Sequence, residues 1–245
     1  MKDNKVLERI QKQLEGELRF DTLTRSMYAT DASVYRRIPL AVAFPKSKDD
    51  IKKLIAFASE HTIGLIPRTA GTSLAGQCVG DGIVVDVSKY FTKIISVDKS
   101  QKTATVQPGV IRDDLNRYLK PYGLFFGPNT STSNRCMIGG MIGNNSSGTT
   151  SIQYGVTRDK VVTLHTLLSD GSEVIFSDIS KEEFHAKRTL DTLEGHIYRS
   201  IYKELSPEAV QQQIVANFPK PEIHRRNTGY AIDELIKSEV FTASD

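Results

Sequence analysis

Two short stretches of the chain hold the residue types from which an anion-binding concavity can be built. The first is Pro67-Arg68-Thr69-Ala70-Gly71-Thr72-Ser73-Leu74-Ala75-Gly76-Gln77. Its small side chains leave consecutive backbone N–H groups accessible. Several fixed N–H dipoles converging on one point bind phosphate oxygens, and glycine lets the backbone approach closely. Arg68 and the hydroxyls of Thr72 and Ser73 could add donors. Gly71 to Gly76 has the GxxxxG spacing of a nucleotide P-loop, but Gln77-Cys78 stands where Lys and Ser/Thr are required. A strand also follows at Ile83 where a helix should start, which disfavours an NTPase. The plain alternative is a glycine-rich turn joining two strands.

The second stretch is Gly139-Gly140-Met141-Ile142-Gly143-Asn144-Asn145-Ser146-Ser147-Gly148, preceded by Gly127-Pro128-Asn129-Thr130. Neither stretch contains GxGxxG, so a Rossmann nicotinamide site lacks its fingerprint. The four glycines offer close backbone approach, and Asn144, Asn145 and Ser146 offer side-chain partners. Such a segment suits a second wall around the same extended ligand. Loops this long inside a compact domain are usually functional.

Other chemistry-bearing residues are less pointed. Five histidines (His61, His165, His185, His196 and His224) sit in no motif, and packing or surface roles are expected for them. Arg225 and Arg226, beside Gly229-Tyr230, form a concentrated charge that could meet a carboxylate; the alternative is a solvated turn. Cys78 and Cys136 lie in no CxxC or Cys/His pattern, which gives no metal-site spacing and fits a reducing compartment.

The elements that must position the two stretches can be read from periodicity. Val6, Leu7, Ile10, Leu14 and Leu18 recur at helical spacing and predict one opening amphipathic helix. Leu40 to Phe44 predicts a strand. Ser47 as N-cap with Asp50 at N3 starts a helix whose buried face is Ile51, Leu54, Ile55 and Ala58. Ile63 to Pro67 and Ile83 to Val87 predict two further strands that flank the first loop. Ile94 to Asp98 with Thr103 to Gln107, and Val161 to Leu168 with Glu173 to Phe176, read as hairpins. Val110 to Leu119 predicts a helix, and Gly127 to Gly148 a long loop. Asp191 to Asp245 turns helical and more polar. Strands and helices interleave without regular alternation, so the expected class is α+β, with mixed sheets packed by helices.

At 245 residues, 39% hydrophobic and 25% charged, the chain is ordinary for a globular protein with a buried core. A net charge of +3 with scattered basic residues is too weak for a nucleic-acid footprint. No apolar h-region and no long apolar run are present, so neither export nor a membrane span is encoded. A cytoplasmic protein is expected, with any peripheral attachment to the inner membrane left to other parts of a longer protein.

Taken in order, PRTAGTSLAGQ, VQPGV, IGGMIGNNSSG, QYG and LLSDGSEV, spanning about Leu40 to Phe176, resemble the FAD-binding domain of flavoproteins of the vanillyl-alcohol oxidase and p-cresol methylhydroxylase type. HRRNTGYAIDEL further resembles FAD-linked dehydrogenases of D-2-hydroxy acids such as D-lactate, glycolate or D-2-hydroxyglutarate, including large bacterial ones with an iron–sulfur half. The resemblance implies a two-subdomain α+β fold and a flavin-dependent oxidation of a D-2-hydroxy acid to a 2-oxo acid. It implies that Arg68, Thr69, Ala70, Gly71, Thr72 and Ser73 wrap the FAD pyrophosphate. Gly139, Gly140, Gly143, Asn144, Ser146 and Gly148 would line the dinucleotide from the other side, and Gln77, Pro128 and Tyr154 would lie near the flavin or its ribityl chain.

Two features depart from the family pattern. The usual RGGG is here Arg68-Thr69-Ala70-Gly71. Thr72 stands where members with a histidyl-linked flavin carry His, and Cys136 is one residue off the cysteinyl attachment of other relatives, so a non-covalent FAD is expected. The implied organisation is a helical lead-in over 1–37, the FAD-binding domain over 38–180, and a helical extension over 181–245 leading to a substrate domain. That substrate domain is expected to hold the catalytic groups, any iron–sulfur cluster and most contacts to the 2-hydroxy acid; the electron acceptor is left open. The competing readings are a flavin-dependent reductase of the enolpyruvyl type and a flavin-free binding module that retains the fold.

Overall fold

The opening helix is shorter than its apolar spacing predicts. In the computed structural model, which describes residues 4–220, 222–223 and 229–241, α1 covers Asn4–Gln11 and buries Leu7 and Ile10. The chain then turns, and Leu18 lies fully buried on a strand, β1 (Glu17–Arg19). The cause is long-range. The Asp50 carboxylate accepts the amides of Glu15 and Gly16, each at 2.9 Å, and β1 pairs antiparallel with β2 (Ala41–Phe44). These bonds fix the turn, so Leu14 and Leu18 reach the core without belonging to the helix. Between these strands comes α2 (Thr22–Met27), capped by Asp21.

Ser47 caps α3 (Lys48–His61) as its position predicts, accepting the Asp50 amide at 3.2 Å. β3 (Leu65–Arg68) and β4 (Ile83–Asp86) complete a four-stranded sheet of order β1-β2-β4-β3, in which β2, β4 and β3 run parallel. Every residue of β2 and β4 is buried. That explains their unbroken apolar runs, because strands covered on both faces need no alternation. Leu54 and Phe57 of α3 pack with Leu18, Ala41, Ala43, Ile83 and Val85 in the first core. The loop after β3 therefore starts at the carboxyl edge of a parallel sheet, where ligands of such sheets commonly bind.

A hairpin of β5 (Ile94–Asp98) and β6 (Thr103–Val106) follows. Helix α4 covers Arg112–Leu119, two residues shorter at its start than the periodicity predicts, because Ile111 pairs with Met137 as an isolated bridge. The long glycine-rich stretch also departs from expectation: Ile138–Gly143 is a helix, α5. Ile138 and Met141 stand one turn apart and are buried among Val110, Leu115, Leu119 and Cys136. That burial outweighs the roughly 1 kcal/mol that each glycine costs a helix. A short α6 (Ser151–Tyr154) and a 3-10 turn at Thr157–Lys160 close this part.

The chain forms two compact units, Met1–Lys160 and Val161–Asp245. The second carries the expected hairpin, β7 (Thr163–Leu167) with β8 (Glu173–Ser177), and the helices α7 (Lys181–Arg188), α8 (Leu193–Leu205), α9 (Glu208–Asn217) and α10 (Ile232–Leu235). Phe184, Tyr198, Leu205, Ile214, Val240 and Phe241 form its own core. Among the described residues, no helix is long and apolar enough to cross a membrane.

Candidate functional site

The turn that leaves β3 is held open by its own arginine. Gly71 sits at φ 65°, where a side chain is strained, and an added Cβ would stand 2.4 Å from Arg68 Nη2. The guanidinium thus lies folded beneath the turn. It donates from Nη1 to the Thr30 carbonyl at 2.8 Å and stacks over the Tyr28 ring at 4.9 Å. The Ala32 amide donates to the Gly71 carbonyl at 3.2 Å.

Among the described residues, the backbone amides of Ala70, Gly71, Thr72, Ser73 and Leu74 donate to no protein acceptor. Residues 69–73 are half-buried and Leu74 is exposed. Ser73 Oγ instead donates to Gln77 Oε1 at 2.6 Å and accepts the Ala75 amide at 3.2 Å, which stiffens the far side of the turn. Cys78 is buried, its thiol 3.7 Å from Asp31 Oδ2, and burial pushes that thiol above its ordinary pKa.

The second stretch adjoins the first. An added Cβ on Gly140, at the start of α5, would meet Thr69 Oγ1 at 2.5 Å. Gly139 is pressed against Pro108 and gives its amide to the Pro108 carbonyl at 2.8 Å. The remaining amides are largely used internally: Asn144 donates to Gly140 O, Asn145 to Ile142 O, Ser146 to Met141 O, and Gly148 to Ser151 Oγ. The second stretch is therefore mostly a shaped wall, and most of the acceptor-free amides belong to the first. Gly143 and Asn144 are exposed on it, with Asn144 Nδ2 3.4 Å from Ser146 Oγ.

Residues that sequence reasoning did not single out set this wall. Arg112 reaches the carbonyls of Pro128 and Phe126 at 3.1 and 3.2 Å, and the Asn116 side-chain amide brackets Phe126 from both its N–H and its carbonyl. Pro128 is fully buried as a result. Asn129 Oδ1 accepts the Thr150 amide and hydroxyl at 3.2 and 2.7 Å, and Gly148 passes directly over the Asn129 carbonyl. Thr157, fully buried, donates its hydroxyl to the Ser146 carbonyl at 2.6 Å. The Tyr154 ring stands edge-on to Phe125 at 5.0 Å and against Gly127. No local motif marks Arg112, Asn116 or Thr157; only their distant partners reveal them.

Other sequence candidates fall elsewhere. Cys136 is buried, accepting from Thr130 Oγ1 at 3.2 Å and lying 3.5 Å from the Met141 sulfur, so it is a packed thiol. His61 rests on Phe57 at 4.5 Å, and His185 packs with Phe184, Tyr202 and Arg188 in the second unit. Arg225, Arg226 and His224 lie outside the described residues. A turn of small residues with five backbone amides that have no protein acceptor has the donor set that a phosphate-bearing ligand needs.

The profile described as FAD binding domain matches residues 39–177. D-2-hydroxyglutarate dehydrogenase of Pseudomonas putida is 37% identical over 223 residues, covering 90% of this chain and 22% of that protein. Glycolate oxidase subunit GlcD of Bacillus subtilis is 34% identical over 239 residues, covering 95% of this chain and 48% of that one. The chain thus spans about a fifth of the length of the dehydrogenases it matches. Among solved structures, alkyldihydroxyacetonephosphate synthase superposes with a TM-score of 0.64 at 20% identity, covering 73% of this chain and 38% of the other. p-Cresol methylhydroxylase does so at 0.61 and 17%, covering 70% and 35%. The α+β fold is therefore that of the p-cresol methylhydroxylase type, and the chain belongs to the FAD binding domain family.

Proposed function

We propose that this chain is the FAD-holding part of a flavin-dependent oxidoreductase that oxidises a D-2-hydroxy acid to the 2-oxo acid. The observation that carries the reading is the row of five acceptor-free amides, Ala70 to Leu74, on a turn whose Thr69 packs against Gly140. The names of the similar D-2-hydroxyglutarate dehydrogenases and glycolate oxidase subunit support the substrate class. The amides would hold the pyrophosphate oxygens, and Gly140 lets the second stretch pack closely on Thr69 of the first. Asn144, Ser146 and Gly148 would line it along the second wall. Gln77, Pro128 and Tyr154 would stand nearer the ring, and Thr72, a hydroxyl side chain, makes no histidyl link.

When bound, FAD supplies a two-electron acceptor in its isoalloxazine ring. The protein's tasks are then to fix that ring, neutralise the substrate carboxylate and remove the hydroxyl proton. Arg225 and Arg226 are the proposed carboxylate partners. The cofactor domain is proposed to span 38–180, with 1–37 a lead-in and 181–245 an extension toward a substrate domain that holds the base. Among the described residues, no group of His, Cys, Asp or Glu could hold a metal, so an iron–sulfur cluster would be held by another part of the protein. A cytoplasmic location, with peripheral attachment at the inner membrane, belongs to the same proposal.

The purified chain, incubated with FAD and gel-filtered, is expected to carry flavin bands in the visible spectrum. A colourless protein would favour a flavin-free module and refute the reading. The full-length gene product is then assayed with D-2-hydroxyglutarate, D-lactate and glycolate against an artificial electron acceptor. Silence toward all three would remove the substrate class while leaving the cofactor in place.

A further inference from the structure

The matched family span begins at residue 39, yet the phosphate-facing turn is tied down by residues before it. Tyr28 donates its hydroxyl to Asp86 Oδ2 at 2.6 Å, across the sheet edge from Arg68, which is in register with Asp86 on the neighbouring strand. Asp86 is 4% exposed, and its other oxygen accepts the Ser88 amide at 2.7 Å. The Tyr28 ring also stands edge-on to Phe44 at 5.7 Å, so it is fixed on two sides. On that ring rests the Arg68 guanidinium, which is bonded to the Thr30 carbonyl and lies directly under Gly71. The same segment touches the turn at three further points: Ala32 N–H on Gly71 O, Asp31 beside the Cys78 thiol, and the Tyr35 ring against Gly76.

We propose that Tyr28, Arg68 and Asp86, with the strap of residues 28–37, are positioning residues for the flavin pyrophosphate. They hold the amides of Ala70 to Leu74 in a binding-ready shape and place one buried-side positive charge beneath them. A turn with five unpaired donors is not self-supporting, because nothing within it opposes collapse onto its own carbonyls. Here the opposition comes from below. The guanidinium occupies the space a collapsed Gly71 would take, and Tyr28 and Asp86 keep the guanidinium from swinging out. Preorganisation of this kind raises affinity by raising the fraction of chains that are ready to bind. This inference rests on FAD binding at this turn.

The test uses the purified chain and three variants, Tyr28→Phe, Asp86→Asn and Arg68→Lys. FAD affinity is read by flavin fluorescence, the pyrophosphate by phosphorus NMR at saturating FAD, and folding by thermal melting. Tyr28→Phe keeps the ring and loses only the anchor, so it folds even where Asp86→Asn does not. We expect its dissociation constant for FAD to rise about tenfold, as the competent fraction of the turn falls by that factor. At saturating FAD its pyrophosphate resonances stay at the wild-type positions, with no change in the visible flavin bands, because only the free turn is less often ready. Arg68→Lys, which keeps the charge but not the planar stack, shows the same pattern. Wild-type binding with Tyr28→Phe and Arg68→Lys indistinguishable from it in affinity and phosphorus spectrum overturns the inference and leaves the cofactor site standing. Loss of affinity with phosphorus resonances moved from the wild-type positions at saturation also overturns it, because the bound turn itself is then altered and not only its readiness. Absence of FAD binding in the wild-type chain overturns the site and this inference together.

Discussion

Gly148→Ala is the sharpest single probe of the wall opposite the phosphate-facing turn. A Cβ at this position would stand 2.3 Å from the Asn129 carbonyl oxygen and 2.4 Å from Asn129 Oδ1. Reaching an ordinary carbon–oxygen separation of about 3.3 Å requires the Asn129 backbone to retreat by about 1 Å. Asn129 Oδ1 holds Thr150 through its amide and hydroxyl, and the Thr150 hydroxyl also lies 3.0 Å from the Gly127 carbonyl, so the retreat stretches these bonds together. Overpacking costs about 1–3 kcal/mol, and each neutral bond given up costs about 1 kcal/mol. A total of about 2–4 kcal/mol corresponds to a fall in melting temperature of about 5–12 °C for a unit of this size. The same displacement moves residues 127–130, the stretch that carries the proposed cofactor neighbour Pro128, so FAD affinity should fall at least about tenfold. Thermal melting of the apo chain and a fluorescence titration with FAD read the two effects. A melting point within about 1 °C of wild type, with unchanged affinity, would show that the methyl group is accommodated and that this wall is not close-packed.

Gly71→Ala places a side chain at φ 65° and against the Arg68 guanidinium; it should cost about 1–2 kcal/mol and abolish retention of FAD on gel filtration, whereas full retention would detach this turn from the cofactor. Asp50→Asn turns an NH2 group toward at least one of the three amides that Asp50 accepts, from Lys46, Glu15 and Gly16. The expected loss is about 2–3 kcal/mol in urea unfolding, and an unchanged midpoint would refute the pinning role. Burial alone would raise the Asp50 carboxyl, but those amides outweigh it and hold it below the ordinary value, while bonds from Lys89, Arg19 and Tyr90 bring Glu17 down to about 2. Both contributions are complete above the unfolded carboxylate values and are lost as pH falls through the folded ones. Stability should therefore decline steadily from about pH 5 downward, with a shallower decline in Asp50→Asn and Glu17→Gln; equal slopes in all three would contradict this. Thr157→Val removes a fully buried hydroxyl from the Ser146 carbonyl and should cost about 1–2 kcal/mol, visible as faster amide exchange over Ser146 to Gly148.

Local pattern carried much of the fold. The Ser47 cap, the two hairpins and the apolar runs at residues 41–44 and 83–85 each depend on neighbours a few residues away, so composition and spacing suffice to read them. Two of the departures share one cause. Leu14 and Leu18 satisfy a helical period, but Asp50, far along the chain, captures the turn that ends α1. Gly139 to Gly143 reads as loop from its glycines, but Ile138 and Met141 find a core built by residues 110–119. In both places tertiary burial overrides local preference.

The sequence by itself determined the chemistry on offer: small residues and glycines in two stretches, and an ordered motif set that points to a flavin domain. Only the tertiary structure decided which stretch keeps its amides free, that Gly140 lies against Thr69, and that Arg68 is turned under its own loop onto Tyr28. The physical reason is that a hydrogen-bond donor is available only if nothing else in the folded chain takes it. That competition is settled by partners such as Asp86, Thr30 and Pro108, whose distance along the chain leaves no mark in local spacing.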